Sequence, residues 1–136
     1  MTFAVSGTLL DACVLGALKT SAAYGYELTQ KTQATLGVSE SALYPVLRRL
    51  LKEGLLLSYD EPFDGRNRRY YKLTDEGAAV LQNYVADWSS FKTNIDKMLI
   101  SGQFAEDVEK AIVMEEAECA VTVNESAENT EGGTIQ

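Results

Sequence analysis

The chain has 136 residues, 46% of them hydrophobic, which suits one small domain with appendages and a core large enough to need no staples. It has no histidine and two distant cysteines, Cys13 and Cys119, so zinc sites, histidine-based triads and disulfide frameworks lose their usual ingredients; a reducing cytoplasm with no metal and no cofactor is expected. The formal charge of −8 is uneven: residues 1–100 hold 11 basic and 11 acidic side chains, whereas residues 101–136 hold 1 and 9.

At the N-terminus no basic region leads into a long apolar run, and no stretch reaches membrane-spanning length, so no membrane partner is expected. Leu10, Cys13, Val14, Ala17 and Leu18 recur at spacings of 3, 1, 3 and 1, which predicts a first helix over about 8–19 with these residues on its core stripe. Residues 20–23 read as a loop. A second helix follows over about 24–36, with Leu28, Thr32 and Leu36 on one face, and Gly37 supplies a left-handed cap. Ser39 is placed to cap the next helix through its hydroxyl, giving helix, tight turn, helix.

In the third helix Leu43, Val46, Leu47 and Leu50 fall within a narrow arc at about 100° per residue. Ser41, Tyr44, Pro45, Arg48 and Lys52 take the far side, with Arg49 on the flank. Pro45 removes one backbone hydrogen bond and crowds the Ser41 carbonyl, so a bend is expected there; the alternative is an irregular first turn with the regular helix confined to 45–53.

After Gly54, residues 55–59 and 69–73 have strand composition, and Pro62, Asp64 and Gly65 between them are turn-formers, so a hairpin is expected. Arg66, Arg68, Arg69 and Lys72 cluster at its tip and second strand, where guanidinium groups suit phosphates or a minor groove. Their alternative fate is pairing with Asp60, Glu61 and Asp64. Residues 39–72 carry seven basic against five acidic side chains, an excess that permits a duplex-binding face without requiring one. Topology makes the stronger case. A helix short enough for a major groove, followed by a basic hairpin, is the order of parts in a winged helix-turn-helix.

Thr74 is placed to cap a last helix running to about residue 100, whose Leu81, Tyr84, Trp88, Phe91, Ile95 and Met98 follow heptad spacings of 3, 4, 3, 4 and 3. Such a seam predicts packing on a partner helix, hence a homodimer, against the alternative that the helix folds back on its own domain. Two third helices related by a twofold axis would read an inverted-repeat operator with half-sites about 34 Å apart. Beyond residue 100, a short helix over 104–119 is expected, with Phe104, Val108, Ala111 and Ile112 on one face, and then a disordered acidic end. That end would compete with DNA for the basic hairpin, or would be a solvated remnant.

Four segments together carry a resemblance: Tyr24-Gly25-Tyr26-Glu27-Leu28; Leu43-Tyr44-Pro45-Val46-Leu47-Arg48-Arg49-Leu50 with Glu53-Gly54-Leu55; Gly65-Arg66-Asn67-Arg68-Arg69-Tyr70-Tyr71; and Leu73-Thr74-Asp75-Glu76-Gly77. In this order they resemble the PadR family of bacterial transcriptional regulators over roughly residues 9–99. The resemblance implies a dimeric winged-helix repressor of detoxification, efflux or envelope-stress genes that leaves double-stranded DNA when a small effector binds. It also implies DNA contacts at Tyr44, Arg48, Gly65, Arg66 and Arg68. Its short C-terminal region resembles the multidrug-responsive branch, in which interfacial tryptophans stack on flat apolar ligands, so Trp88 is a candidate for a planar apolar or aromatic effector; the alternative is a plain packing residue.

The expected fold is therefore mainly α with a small β-hairpin: a winged helix-turn-helix over 1–73, a dimerisation helix over 74–100 and an acidic extension over 101–136. Candidate DNA contacts are Ser39, Ser41, Tyr44, Arg48, Arg49, Lys52, Gly65, Arg66, Arg68 and Arg69. The rival reading is a winged module that binds protein instead of DNA. An enzyme is not expected, because Asp60, Glu61 and Asp64 sit on an exposed turn with no pocket to shift their pKa values.

Overall fold

The computed structural model describes residues 3–104 together with Ile112, Met114 and Glu115. Apart from those residues, the expected helix over 104–119 and the acidic end lie outside the described residues. In chain order the elements are α1 (Gly7–Ala17), β1 (Ala23–Tyr24), α2 (Gly25–Leu36), α3 (Glu40–Lys52), β2 (Leu56–Phe63), β3 (Arg66–Leu73), α4 (Asp75–Asp96) and a π-helical segment (Lys97–Ser101). The strands form one antiparallel sheet in the order β1-β3-β2. The mainly helical fold with its small sheet is thus as expected. The chain divides into two compact units, Met1–Trp88 and Ser89–Gln136.

The core of the first unit follows the apolar periodicity of its helices. Leu10, Val14, Leu15 and Leu18 of the first helical region, Leu28 of α2, Leu43, Leu47 and Leu50 of α3, Leu56 and Tyr71 of the sheet, and Leu81 of α4 are all buried in one cluster. The stripe expected for α1 is rotated: Leu15 and Asp11 are buried, Cys13 is half-buried, and Ala17 is exposed. Burying a large Leu15 in place of a small Ala17 removes more apolar surface from water, and Asp11 is carried inward because it has a cationic partner.

Residues 20–23, expected as loop throughout, end in a strand. Ala23 and Tyr24 pair with Tyr71 and Tyr70, so the hairpin gains a third strand that fastens it to the start of α2. The hairpin is longer than composition suggested, because Asp64 and Gly65, at φ 53° and 80°, form the whole turn. Both central residues at positive φ match the tight turn whose twist suits paired strands, and Asp-Gly is a preferred pair for it. Pro62 then sits inside β2, an edge strand where its missing N–H is tolerated.

One junction fixes where α4 begins. Thr74 Oγ1 accepts from the Gly77 N–H at 3.0 Å, the capping contact expected of it, and donates to the Gly54 carbonyl at 2.7 Å. Its own N–H donates to the Leu55 carbonyl at 3.1 Å. The two backbones are so close that a Cβ on Gly77 would lie 2.1 Å from the Leu55 oxygen, which only glycine permits. The strand and the last helix are therefore locked together at the base of the hairpin.

Candidate nucleic-acid interface

Helix α3 begins after Gly37, which closes α2 at φ 71°, and after the N-cap residue Ser39. Ser39 departs from expectation in one respect: its hydroxyl makes no capping bond but meets the Ser41 hydroxyl at 3.0 Å, leaving both serines exposed at the helix entrance. Gln30 of α2 donates to the Glu40 carboxylate and ties the two helices at the turn. The helix runs through Pro45, the sixth of its 13 residues, so regular structure is not confined to 45–53.

With Leu43, Leu47 and Leu50 fixed inward, α3 presents Ser41, Arg48 and Lys52 to solvent. Tyr44 is half-buried, its ring resting against the core cluster. The two adjacent arginines part company. Arg49 Nη2 donates to Asp11 Oδ1 at 2.5 Å and Nη1 to Glu53 Oε1 at 3.3 Å, and the Asp11 carboxylate holds the guanidinium proton more tightly than usual. Arg48 has no ion-pair partner among the described residues, and neither do Lys52, Arg66 and Lys72.

The sheet register sorts the hairpin side chains. Leu56, Ser58, Asp60 and Pro62 share a face with Leu73, Tyr71, Arg69 and Asn67, the face that reaches the core through Leu56 and Tyr71. On it Arg69 Nε lies 3.6 Å from Asp60 Oδ1, part of the pairing that competes with phosphate contact. The opposite face carries Leu57, Tyr59, Glu61 and Phe63 with Lys72, Tyr70, Arg68 and Arg66, and Tyr24 of β1 beside Tyr70. Tyr59 and Tyr70 stack at 5.6 Å, Tyr24 and Tyr70 are 5.9 Å apart, and the Arg68 guanidinium lies 3.5 Å from the Phe63 ring centre and 4.6 Å from that of Tyr24. Of the three hairpin arginines, Arg66 next to the Gly65 turn is the one uncommitted.

The structure thus brings Ser41, Arg48 and Lys52 onto one outward surface of α3, leaves Ser39 at the helix entrance, and places Gly65 and Arg66 at the hairpin tip. Asp11, Tyr24 and Phe63, which hold Arg49 and Arg68, were not anticipated; a lone carboxylate within an apolar stripe was the available signal for the first. Among the described residues no group of three or more histidine, cysteine, aspartate or glutamate side chains could hold a metal ion, and no helix is long and apolar enough to cross a membrane.

Trp88 borders a shallow groove of about 360 Å³ lined by Leu9, Cys13, Gly16, Leu36, Leu81 and Tyr84, almost wholly apolar. The heptad residues divide between roles: Leu81 is buried in the protomer's own core, and Tyr84 is half-buried against it. Trp88 is 45% exposed. In the second unit Phe91, Ile95 and Met98 are exposed, as are Leu99 and Ile100.

The chain matches the model of the Transcriptional regulator PadR-like family over residues 14–83. It is 44% identical over 59 residues to the transcriptional regulator Rv3488 of Mycobacterium tuberculosis, covering 43% of this chain and 55% of that protein. Among solved structures it is similar to smu.1704 of Streptococcus mutans, with 35% identity, a TM-score of 0.68, and coverage of 73% of this chain and 93% of that one. A PadR-like transcriptional regulator of Bacillus cereus is 31% identical with a TM-score of 0.63, covering 68% of this chain and 93% of that one.

Proposed function

This chain belongs to the PadR-like family of transcriptional regulators, and on that premise we propose that it is a homodimeric repressor that reads an inverted-repeat operator through α3 and the hairpin and is released by a small planar effector. Membership makes it a DNA-binding regulator and not an enzyme. The observation that carries the finer reading is the separation of Arg48 from Arg49: one guanidinium is paired with the buried Asp11 of α1, while its neighbour stands exposed without an ion-pair partner among the described residues on the outward face of a short helix.

An uncommitted arginine on such a helix suits bidentate contact with guanine in the major groove, with Ser41 and Lys52 flanking it. Arg66 at the hairpin tip suits phosphate, which positions the domain without reading sequence. Exposed Phe91, Ile95 and Met98 supply the apolar surface for a second copy, and twofold pairing would present two α3 helices about one duplex turn apart. The groove beside Trp88 has the size and apolar lining suited to a flat aromatic ligand. Such a ligand weakens DNA binding only by favouring the dimer geometry in which the two α3 helices no longer match the half-site spacing.

Two titrations test this reading. Binding to a duplex from the region upstream of the protein's own gene should exceed binding to a scrambled duplex, and planar aromatic compounds should quench Trp88 and lower that affinity. Equal affinity for both duplexes would remove the repressor. Quenching without any loss of operator affinity would remove the effector mechanism.

A further inference from the structure

We infer that Arg68 is a positioning residue for the hairpin and not one of its phosphate contacts, an inference that rests on the DNA-binding reading for its functional consequence. Arg68 is the third residue of the central strand β3, diagonal to Phe63 on one neighbouring strand and to Tyr24 on the other. Its guanidinium lies over both rings, 3.5 Å from the centre of Phe63 and 4.6 Å from that of Tyr24. Phe63 is the last residue before the Asp64-Gly65 turn, and Tyr24 is the residue from which α2 starts. One flat cation therefore joins the tip of the hairpin to the body of the domain.

Two rings from different strands engage the guanidinium, so its geometry is set before any duplex arrives. Lysine cannot reproduce this, because an ammonium has no plane to stack. The remaining rings extend the brace, with Tyr24 near Tyr70 and Tyr70 stacked on Tyr59 at 11° between planes. Because Arg68 lies over Phe63 and Tyr24, and Tyr59 and Tyr70 stack on one another, this surface is committed to its own contacts and works as a stiffener, not as a platform on which unpaired bases would stack. Its product is the fixed position of Arg66, two residues away on the same face, relative to α3.

The test compares wild type with Phe63→Ala, Arg68→Lys and Arg68→Ala on the upstream duplex across a salt series, and measures amide exchange of residues 63–68 in the free protein. Phe63 is half exposed, so its removal spares the core. Phe63→Ala, which changes no charge, and Arg68→Lys, which keeps it, should each weaken operator binding about three- to tenfold, with the slope of log K against log salt unchanged, and both should speed amide exchange at the tip. Wild-type affinity in Arg68→Lys, with a slope reduced by about one in Arg68→Ala, would make Arg68 a phosphate ligand and overturn the inference. If wild type binds no duplex, the repressor reading fails by itself; exchange then still decides, since unaltered tip protection in both Phe63→Ala and Arg68→Lys overturns the brace.

Discussion

Asp11 and Arg49 meet across 38 positions of sequence, the carboxylate of α1 accepting from the guanidinium of α3 at 2.5 Å. Asp11 is only 8% exposed, so this contact satisfies a buried charge and holds Arg49 toward α1, in the orientation that the buried Leu43, Leu47 and Leu50 give to α3. With Arg49 turned toward α1, Arg48 is turned outward. The pair thus divides an Arg-Arg sequence into one cation held by the fold and one left exposed.

Arg49→Ala should therefore lower stability by about 1–2 kcal/mol in urea unfolding, the range for a lost charge-assisted bond discounted because the Arg49 side chain is 44% exposed. Arg48→Ala should stay within about 0.5 kcal/mol of wild type in stability yet lose roughly 1–3 kcal/mol of operator affinity. A reversal of the two phenotypes would place the DNA-facing surface elsewhere on the helix.

Two glycines should respond oppositely to the same change. Gly77→Ala would put a methyl group against the Leu55 carbonyl and should cost about 2 kcal/mol or more, because neither backbone has room to retreat. Gly16→Ala, whose nearest neighbour would be the Leu81 side chain at 3.8 Å, should be neutral or gain up to about 1 kcal/mol. Thermal unfolding of both variants checks the contrast, and a harmless Gly77→Ala would mean that the junction of hairpin and α4 is looser than described.

Much of the fold was legible because helix periodicity is long and redundant. Leu43, Leu47 and Leu50 specify the inner face of α3 from sequence alone, and Gly37 and Thr74 mark helix boundaries through their backbone and capping chemistry. Strand β1 was not legible: two residues hold no period, and Tyr24 pairs with Tyr70 only once the hairpin exists. The Asp64-Gly65 turn had a sequence signal, but the flanking Pro62 and the charged residues around it masked strand composition. A heptad spacing states that a side is apolar without stating what covers it, so Leu81, placed on the dimer seam, lies in the domain's own core. Likewise, an arginine count cannot tell Arg66 from Arg68 and Arg69, whose partners come from other strands.

Burial pushes the Cys13 thiol up, which keeps it protonated at neutral pH. In a Cys119→Ser variant, alkylation of Cys13 at pH 8 should be slower than that of a free thiol and should accelerate only at higher pH. Reaction as fast as in the urea-unfolded chain would show that the helix face carrying Cys13 is open.

The exposed Phe91 and Met98 side chains predict self-association. Wild type should sediment as a dimer at micromolar concentration, and the double variant Phe91→Asp with Met98→Asp should sediment as a monomer with intact helix content. Operator affinity should fall with it, since two linked half-site contacts become independent ones. A monomeric wild type that still binds the full operator tightly would separate DNA reading from dimerisation.

The most direct measurement is a footprint of wild type and Arg48→Ala on the DNA upstream of the protein's own gene, at fixed salt. The expected result is protection of two inverted half-sites centred about 34 Å apart, lost in Arg48→Ala at the same protein concentration. Uniform protection without half-sites, or an identical footprint from Arg48→Ala, would contradict the claim that α3 reads sequence through its outward arginine.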